Sequence, residues 1–221
     1  MSLDVAAFLP TAQTWTPPEP TTPRLTDAER RIALEAGTGL DALRLLSPPP
    51  GNPYLGGGTW AGLFDELGTT LPREYVTLMN LYGAGCWSGW LRFFTPLRTG
   101  ERRYLQHVES TTDGYRQLKG NHPQWYPLAT WPEPGGFLPF ANSIDGDQLG
   151  WLTEGGDPDN WPLIVWPRHA DQGPPLEQGL IDTLLTWQRG TFSTEGLAAL
   201  DEGRRPIEFA GFRLWDDSAH W

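Results

Sequence analysis

Cysteine occurs once in this 221-residue chain, at Cys86, and lysine once, at Lys119, against fifteen arginines. A single cysteine excludes an intramolecular disulfide and any multi-cysteine metal site. Cys86 is therefore expected to act as a small buried hydrophobe. No apolar run approaches the roughly 20 residues that a membrane helix needs. The opening stretch Met1–Trp15 lacks the basic start and long apolar core of a secretory signal, so a cytoplasmic setting is expected, with no membrane partner. Positive charge is scarce: 16 Lys plus Arg face 27 Asp plus Glu, for a formal net charge of −11. That balance argues against a basic groove for nucleic acid. It suits steering toward a basic protein partner and equally serves solubility.

Signatures of chemistry are also missing. A serine-hydrolase elbow needs G-x-S-x-G, and Gly85-Cys86-Trp87-Ser88-Gly89 misplaces the first glycine. Thiol catalysis needs an activating base beside Cys86, and His107, His122, His169 and His220 all lie elsewhere in sequence with nothing marking one as that base. Gly83-Ala84-Gly85 follows a helix instead of a strand, so no phosphate-cradling loop is read there. Asp145, Asp147, Asp157 and Asp159 offer hard oxygens for calcium, but their spacing is not that of an EF-hand loop, and turn chemistry accounts for them. No carboxylate pair stands out as a glycosidase acid and nucleophile. The expectation is a chain with no catalytic residues, no metal ligands and no cofactor.

What is present is helix and strand patterning with clear punctuation. Met1–Pro23 holds five prolines and little periodicity, and reads as an arm. Thr26-Asp27-Ala28-Glu29 is a capping box that starts a helix from Asp27 to about Ala36, ended at Gly37. A second helix from Thr38-Gly39-Leu40-Asp41 offers Leu40, Leu43, Leu45 and Leu46 for burial before Pro48-Pro49-Pro50 stops it. Gly56-Gly57-Gly58 reads as a flexible joint. The organisation expected is therefore an N-terminal extension (1–58), a main domain (59–190) and a C-terminal extension (191–221) packed on it.

Trp60, Leu63, Phe64 and Leu67 form one helical stripe; Leu71, Tyr75, Leu78, Met79 and Tyr82 form the next, with Pro72 in its first turn. The two helices should pack as a hairpin. Trp87–Phe94 switches to period two and reads as one strand. Glu101–Leu118 reads as helix, with Asp113-Gly114 as a possible break. Gln124–Thr130 is a candidate strand, Leu176–Gln188 an amphipathic helix, Ser193–Leu200 a further short helix and Ile207–Trp215 a final strand. No strand-helix-strand rhythm repeats, so a doubly wound parallel sheet is disfavoured. The fold class expected is α+β: a twisted, mostly antiparallel sheet with helices packed on one side. Most of the twelve tryptophans should be core.

Leu138–Val165, LPFANSIDGDQLGWLTEGGDPDNWPLIV, is the most informative stretch. Asp145-Gly146-Asp147 and Gly155-Gly156-Asp157-Pro158-Asp159 separate three short apolar runs, which read as antiparallel strands with acidic turns. The segment resembles the signature of the SUKH superfamily: an LPFA stretch, a GD turn followed by tryptophan, and a GDPD-x-WP turn before an apolar strand. A second block agrees, with Trp60 in a short helix followed by Leu71-Pro72, Glu74-Tyr75, Leu78 and Tyr82-Gly83-Ala84-Gly85. The resemblance spans Thr59–Gly190. It implies a non-enzymatic, protein-binding SUKH-like fold, whose relatives are fungal cell-wall assembly regulators and bacterial toxin-immunity proteins. It implies a protein partner, with a basic toxin domain as the expected target and an intracellular adaptor role as the alternative. The surface expected to carry binding is Asp145, Asp147, Glu154, Asp157, Asp159 and Trp161. Trp161 reads either as core or as an exposed anchor ringed by carboxylates.

Overall fold

Tyrosine, phenylalanine and tryptophan rings are the largest fully buried side chains of the interior, and they lie where helices meet the sheet. The computed structural model describes residues 26–101, 103–200 and 210–214. In chain order these hold α1 (Asp27–Glu35), α2 (Gly39–Leu46), α3 (Trp60–Leu67), α4 (Arg73–Tyr82), β1 (Gly85–Trp87), β2 (Leu91–Phe93), α5 (Tyr104–Asn121), β3 (Phe137–Ser143), β4 (Gln148–Leu152), β5 (Leu163–Trp166), α6 (Leu180–Gln188) and β6 (Phe212–Leu214). The strands form one six-stranded sheet in the order β5-β4-β3-β2-β1-β6. Every neighbouring pair is antiparallel. The fold is α+β, as the sequence implies.

Side chains alternate across a strand, so the sheet has two faces. Leu91, Phe93, Leu149, Trp151, Leu163 and Val165 face the larger cluster, where buried residues of α2, α3, α4 and α6 meet them. Phe137, Leu152 and Ile164 form a smaller cluster on the opposite face with Leu128 and Trp166. Helix α5 serves both: Tyr104 and Val108 join the larger cluster, while Tyr115 packs edge-on against Trp166 at 4.8 Å. In the larger cluster Tyr75 lies 5.2 Å from Phe140 and 5.1 Å from Trp151. Trp87 joins Tyr82, Phe93 and Phe212 at 4.5, 6.1 and 4.8 Å.

The N-terminal helices belong to the same core. Thr26 and Glu29 form the expected capping box. Ala42, Leu43 and Leu46 of α2 are buried, whereas Leu45, expected inside, is 51% exposed because it lies on the helix side away from those three. Arg189 ties α6 to the end of α1 by donating to the Ala33, Ala36 and Gly37 carbonyls at 2.9, 2.6 and 3.1 Å. The joint expected at Gly56–Gly58 is instead stitched down. Gly58 N–H donates to Leu97 O (2.7 Å), Leu97 N–H to Leu55 O (2.8 Å) and Ala84 N–H to Tyr54 O (2.7 Å). The α3 and α4 helices meet through Trp60, which packs on Tyr75 at 6.2 Å and donates to Asn80 Oδ1 at 2.9 Å.

Four expectations are corrected. Trp87–Phe94 is a hairpin, not one strand: Ser88 (φ 52°) and Gly89 (φ 67°) occupy the left-handed region, and Trp90 N–H closes the turn on Trp87 O at 2.9 Å. Trp87, Leu91 and Phe93 still share the buried face. Helix α5 runs straight through Asp113-Gly114, where Arg116 pairs with Asp113 at 2.6 Å. Gln124–Thr130 is not a strand, since side chains of α5 satisfy its backbone: Leu128 N–H donates to the Tyr115 hydroxyl (2.8 Å) and Leu128 O accepts from Lys119 (2.7 Å). Only Thr130 makes a bridge, to Phe137. Ser193–Leu200 is a turn closed between Thr194 and Leu197, with Gly196 at φ 77° packed so closely that a Cβ there would lie 2.8 Å from Val165. The Met1–Pro23 arm and the Ile207–Phe209 part of the last strand lie outside the described residues; Phe212–Leu214 forms β6.

His107 packs edge-on against Phe94, ring centroids 3.8 Å apart. Its buried Nε2 has no partner among the described residues. Burial pushes its imidazole pKa down. An unfolded histidine titrates near about 6.5, so His107 adds stability in full above that pH and loses it as pH falls toward the depressed folded value. Denaturant titrations between about pH 7.5 and about pH 5.5 should show stability falling on acidification, and His107→Leu should flatten that slope. An unchanged slope removes His107 as the cause.

Candidate functional site

The two acidic turns of the signature lie at opposite ends of β4. Five residues at roughly 3.3 Å each put about 17 Å between them. Asp145 and Asp147 sit at the β3–β4 turn; Glu154, Asp157, Asp159 and Trp161 sit at the other end. The structure thus gathers four of the six expected residues and separates two from them. The four aspartates do not converge on one point.

Each acid has a local task that its turn imposes. Asp147 is buried. Its carboxylate accepts from the Ser143 hydroxyl at 2.5 Å and from Arg168 N–H at 2.9 Å. Ser143 Oγ in turn accepts from the backbone N–H of Asp145 (3.2 Å) and Asp147 (3.1 Å). This closes the hairpin and ties it to the chain leaving β5. Asp145 is exposed, and its backbone carbonyl accepts from Arg168 Nη1 at 3.3 Å. At the far end Asp157 caps a short 3-10 helix, Pro158–Asn160, by accepting from Asp159 N–H and Asn160 Nδ2, both at 3.1 Å. Asp159 accepts from Arg73 N–H at 2.7 Å, the first residue of α4, and pairs with the Arg73 guanidinium. The bond from the Arg73 backbone, followed by its side chain, holds the Asp159 carboxyl below the ordinary carboxylate value. Trp161 belongs to the core cluster, which settles that alternative. Glu154 is exposed.

Glu74, a residue of the earlier signature block, does the same work for a different helix. Its two carboxylate oxygens accept from Leu180 N–H and Ile181 N–H, each at 2.8 Å. These are otherwise unpaired donors at the start of α6. That explains why α6 begins at Leu180, four residues later than the apolar pattern from Leu176 suggests. The signature acids Glu74 and Asp159 are therefore helix caps supplied from 106 and 86 residues away in sequence.

Sequence reading missed a cleft of about 260 Å³ beside β5, whose walls include Trp125, Tyr126, Trp166, Arg168, Asp171 and Gln172. Trp125 is 57% exposed and its indole stacks on His122 at 4.8 Å. The available signal was the isolation of Trp125 between Pro123 and Pro127, with no apolar periodicity to bury it. Among the described residues no helix is long and apolar enough to cross a membrane.

An antiparallel meander tied by carboxylates at both ends, with α4 capped by Asp159 and α6 by Glu74, defines an α+β domain organised around two signature turns. A family model described as SMI1-KNR4 cell-wall matches residues 62–182, more than half of the chain, and the chain belongs to that SUKH family. The family includes toxin-immunity and cell-wall regulator members, generally non-catalytic, and its domains bind protein partners such as toxins. No curated protein and no solved structure matches the chain.

Removing the remote cap tests the role of Glu74. Glu74→Ala should lower stability by about 1–2 kcal/mol, the range for losing a helix N-cap, while Glu74→Asp retains part of it. Denaturant unfolding measures both; an Ala variant as stable as the parent shows that the α6 donors find another partner.

Proposed function

We propose that this chain is a non-enzymatic protein-binding domain acting as an immunity protein, which neutralises a bacterial toxin by covering its active surface. Membership of the SUKH family supports the class of function. The observation that carries the finer reading is electrostatic. Asp145, Glu154 and Asp157 are exposed and carry no ion pair among the described residues. They stand on a chain whose net charge is −11. Unneutralised carboxylates at both ends of a rigid sheet raise the encounter rate with a cationic partner and select against acidic ones. In this reading the proposed binding surface is Asp145, Asp147, Glu154, Asp157, Asp159 and Trp161. The exposed members make contact; Asp147 and Trp161 hold the turns in shape. The partner is a basic toxin domain, and the setting is cytoplasmic.

A second reading, an intracellular adaptor or regulatory scaffold, draws on the N-terminal helices. Ile32 of α1 and Leu45 of α2 are 65% and 51% exposed, outside the region matched to the family. Exposed apolar side chains of this kind mark contact surfaces when they cluster.

Affinity capture from the native host with cross-linking and mass spectrometry tests the class, and association kinetics test the surface. A single basic protein should be recovered. Asp145→Lys, Glu154→Lys and Asp157→Lys combined should slow association about tenfold at low ionic strength, with the difference shrinking as salt rises. Kinetics unaltered by the triple reversal remove these acids from the interface.

A further inference from the structure

Three aromatic residues border the cleft of about 260 Å³ between the loop that follows α5 and the chain that leaves β5: Trp125, Tyr126 and Trp166. Tyr115 of α5 holds two of them in place, lying edge-on to Tyr126 at 5.4 Å and to Trp166 at 4.8 Å. Phe137 braces Trp166 further, at 6.3 Å. Trp125 is different, being 57% exposed. Its indole stacks on His122 at 4.8 Å, with the two planes 27° apart. His122 does not border the cleft, so the indole meets the cleft on the side that His122 leaves uncovered.

Charge on the wall comes from Arg168 and Asp171. The Arg168 side chain is drawn to the β3–β4 turn: Nη1 donates to the Asp145 carbonyl at 3.3 Å, and a Cβ added at Gly146 would lie 3.0 Å from Arg168 Cδ and Nη1. Asp171 is exposed and has no ion pair among the described residues. The wall is thus balanced in formal charge, and the chain around it, at −11, gives the local potential its sign. Aromatic faces attract a cation lying within about 6 Å of the ring centre. The cleft is smaller than the about 300–1,000 Å³ of sites for whole drug-sized ligands, so it suits one side chain. Among cationic side chains, the planar and weakly hydrated guanidinium stacks best on aromatic rings.

We propose that this cleft receives an arginine side chain of the partner protein, with its guanidinium against the uncovered side of the Trp125 indole. Across so small a space Asp171 attracts the guest through its charge and needs no direct bond to it. The inference rests on the reading of the chain as a binder of a basic protein, and it adds an anchor pocket away from the turn of Glu154–Asp159.

The test uses the full 15N-labelled chain at low ionic strength and the capped peptide Ac-Gly-Arg-Gly-NH2 as probe. The readout is the Trp125 indole N–H resonance, assigned by its loss in Trp125→Phe. A saturable shift is expected, with half-saturation at about 1–10 mM, the range open to so small a ligand. The same peptide with citrulline for arginine keeps the shape and loses the charge, and should bind about tenfold more weakly. Asp171→Asn, an exposed change, should weaken the arginine peptide about threefold and leave the citrulline peptide unaltered. An indole resonance that stays still, or that moves equally with the citrulline peptide, overturns the proposal. So does a shift that fails to saturate and spreads over indoles throughout the protein, which marks diffuse attraction to an acidic chain. A still resonance beside a captured basic partner overturns the cleft alone. Saturable, charge-dependent binding with no captured partner upholds the cleft as a guanidinium site and overturns the broader reading.

Discussion

Contact between Tyr75 of α4 and the rings of Phe140 and Trp151 joins the helical layer to the centre of the sheet, and the remaining architecture is arranged around it. Phe140 lies 4.1 Å from Trp151 and 5.3 Å from Phe93, which lies 6.1 Å from Trp87. Trp87 in turn meets Tyr82 and Phe212, so one continuous series of rings runs from β4 to the edge strand β6. Each ring buries a large apolar area, and tilted or edge-on packing adds to that burial. Strands of three residues, such as β1, β2 and β6, make few ladder hydrogen bonds; the rings between them supply cohesion that so short a ladder lacks.

Carboxylates do the second part of the work, at the ends of elements. Glu74 holds the start of α6, Asp159 the start of α4, Asp147 the β3–β4 hairpin against the chain leaving β5, and Asp157 its own short helical turn. The first two place an anionic group on a helix N-terminus, where unpaired N–H groups and the helix dipole favour it. In this chain the signature acids Glu74, Asp147, Asp157 and Asp159 are thus structural ties. Asp145, Glu154 and Asp157 are exposed and have no ion pair among the described residues, so these are the acids the proposed partner would meet.

The proposed binding surface and the structural ties are neighbours for a physical reason. A turn that must be pinned by its own aspartates is rigid, and a rigid turn presents its remaining charges at little entropic cost to an incoming protein. Arg168 illustrates the economy: its backbone N–H completes the Asp147 tie while its side chain reaches both the Asp145 turn and the wall of the aromatic cleft.

Local pattern made much of this legible. The capping box of Thr26 and Glu29, the stripes of α3, α4 and α6, and the strands around LPFA and GDPD follow from period, propensity and turn chemistry, which act over a few residues. Where the local rules offered two outcomes the sequence was ambiguous: Ser88-Gly89 could continue a strand or reverse it, Asp113-Gly114 could end a helix or sit within one, and Gln124–Thr130 could be a strand or a surface loop. What the chain alone determined was most of its helices and the strands of its signature segment, its aromatic load and its negative charge. What tertiary structure alone decided was which remote N–H each carboxylate would meet. Those outcomes depend on pairings across 86 and 106 residues, and short-range preferences carry no information about a partner that only the closed sheet brings within hydrogen-bonding distance.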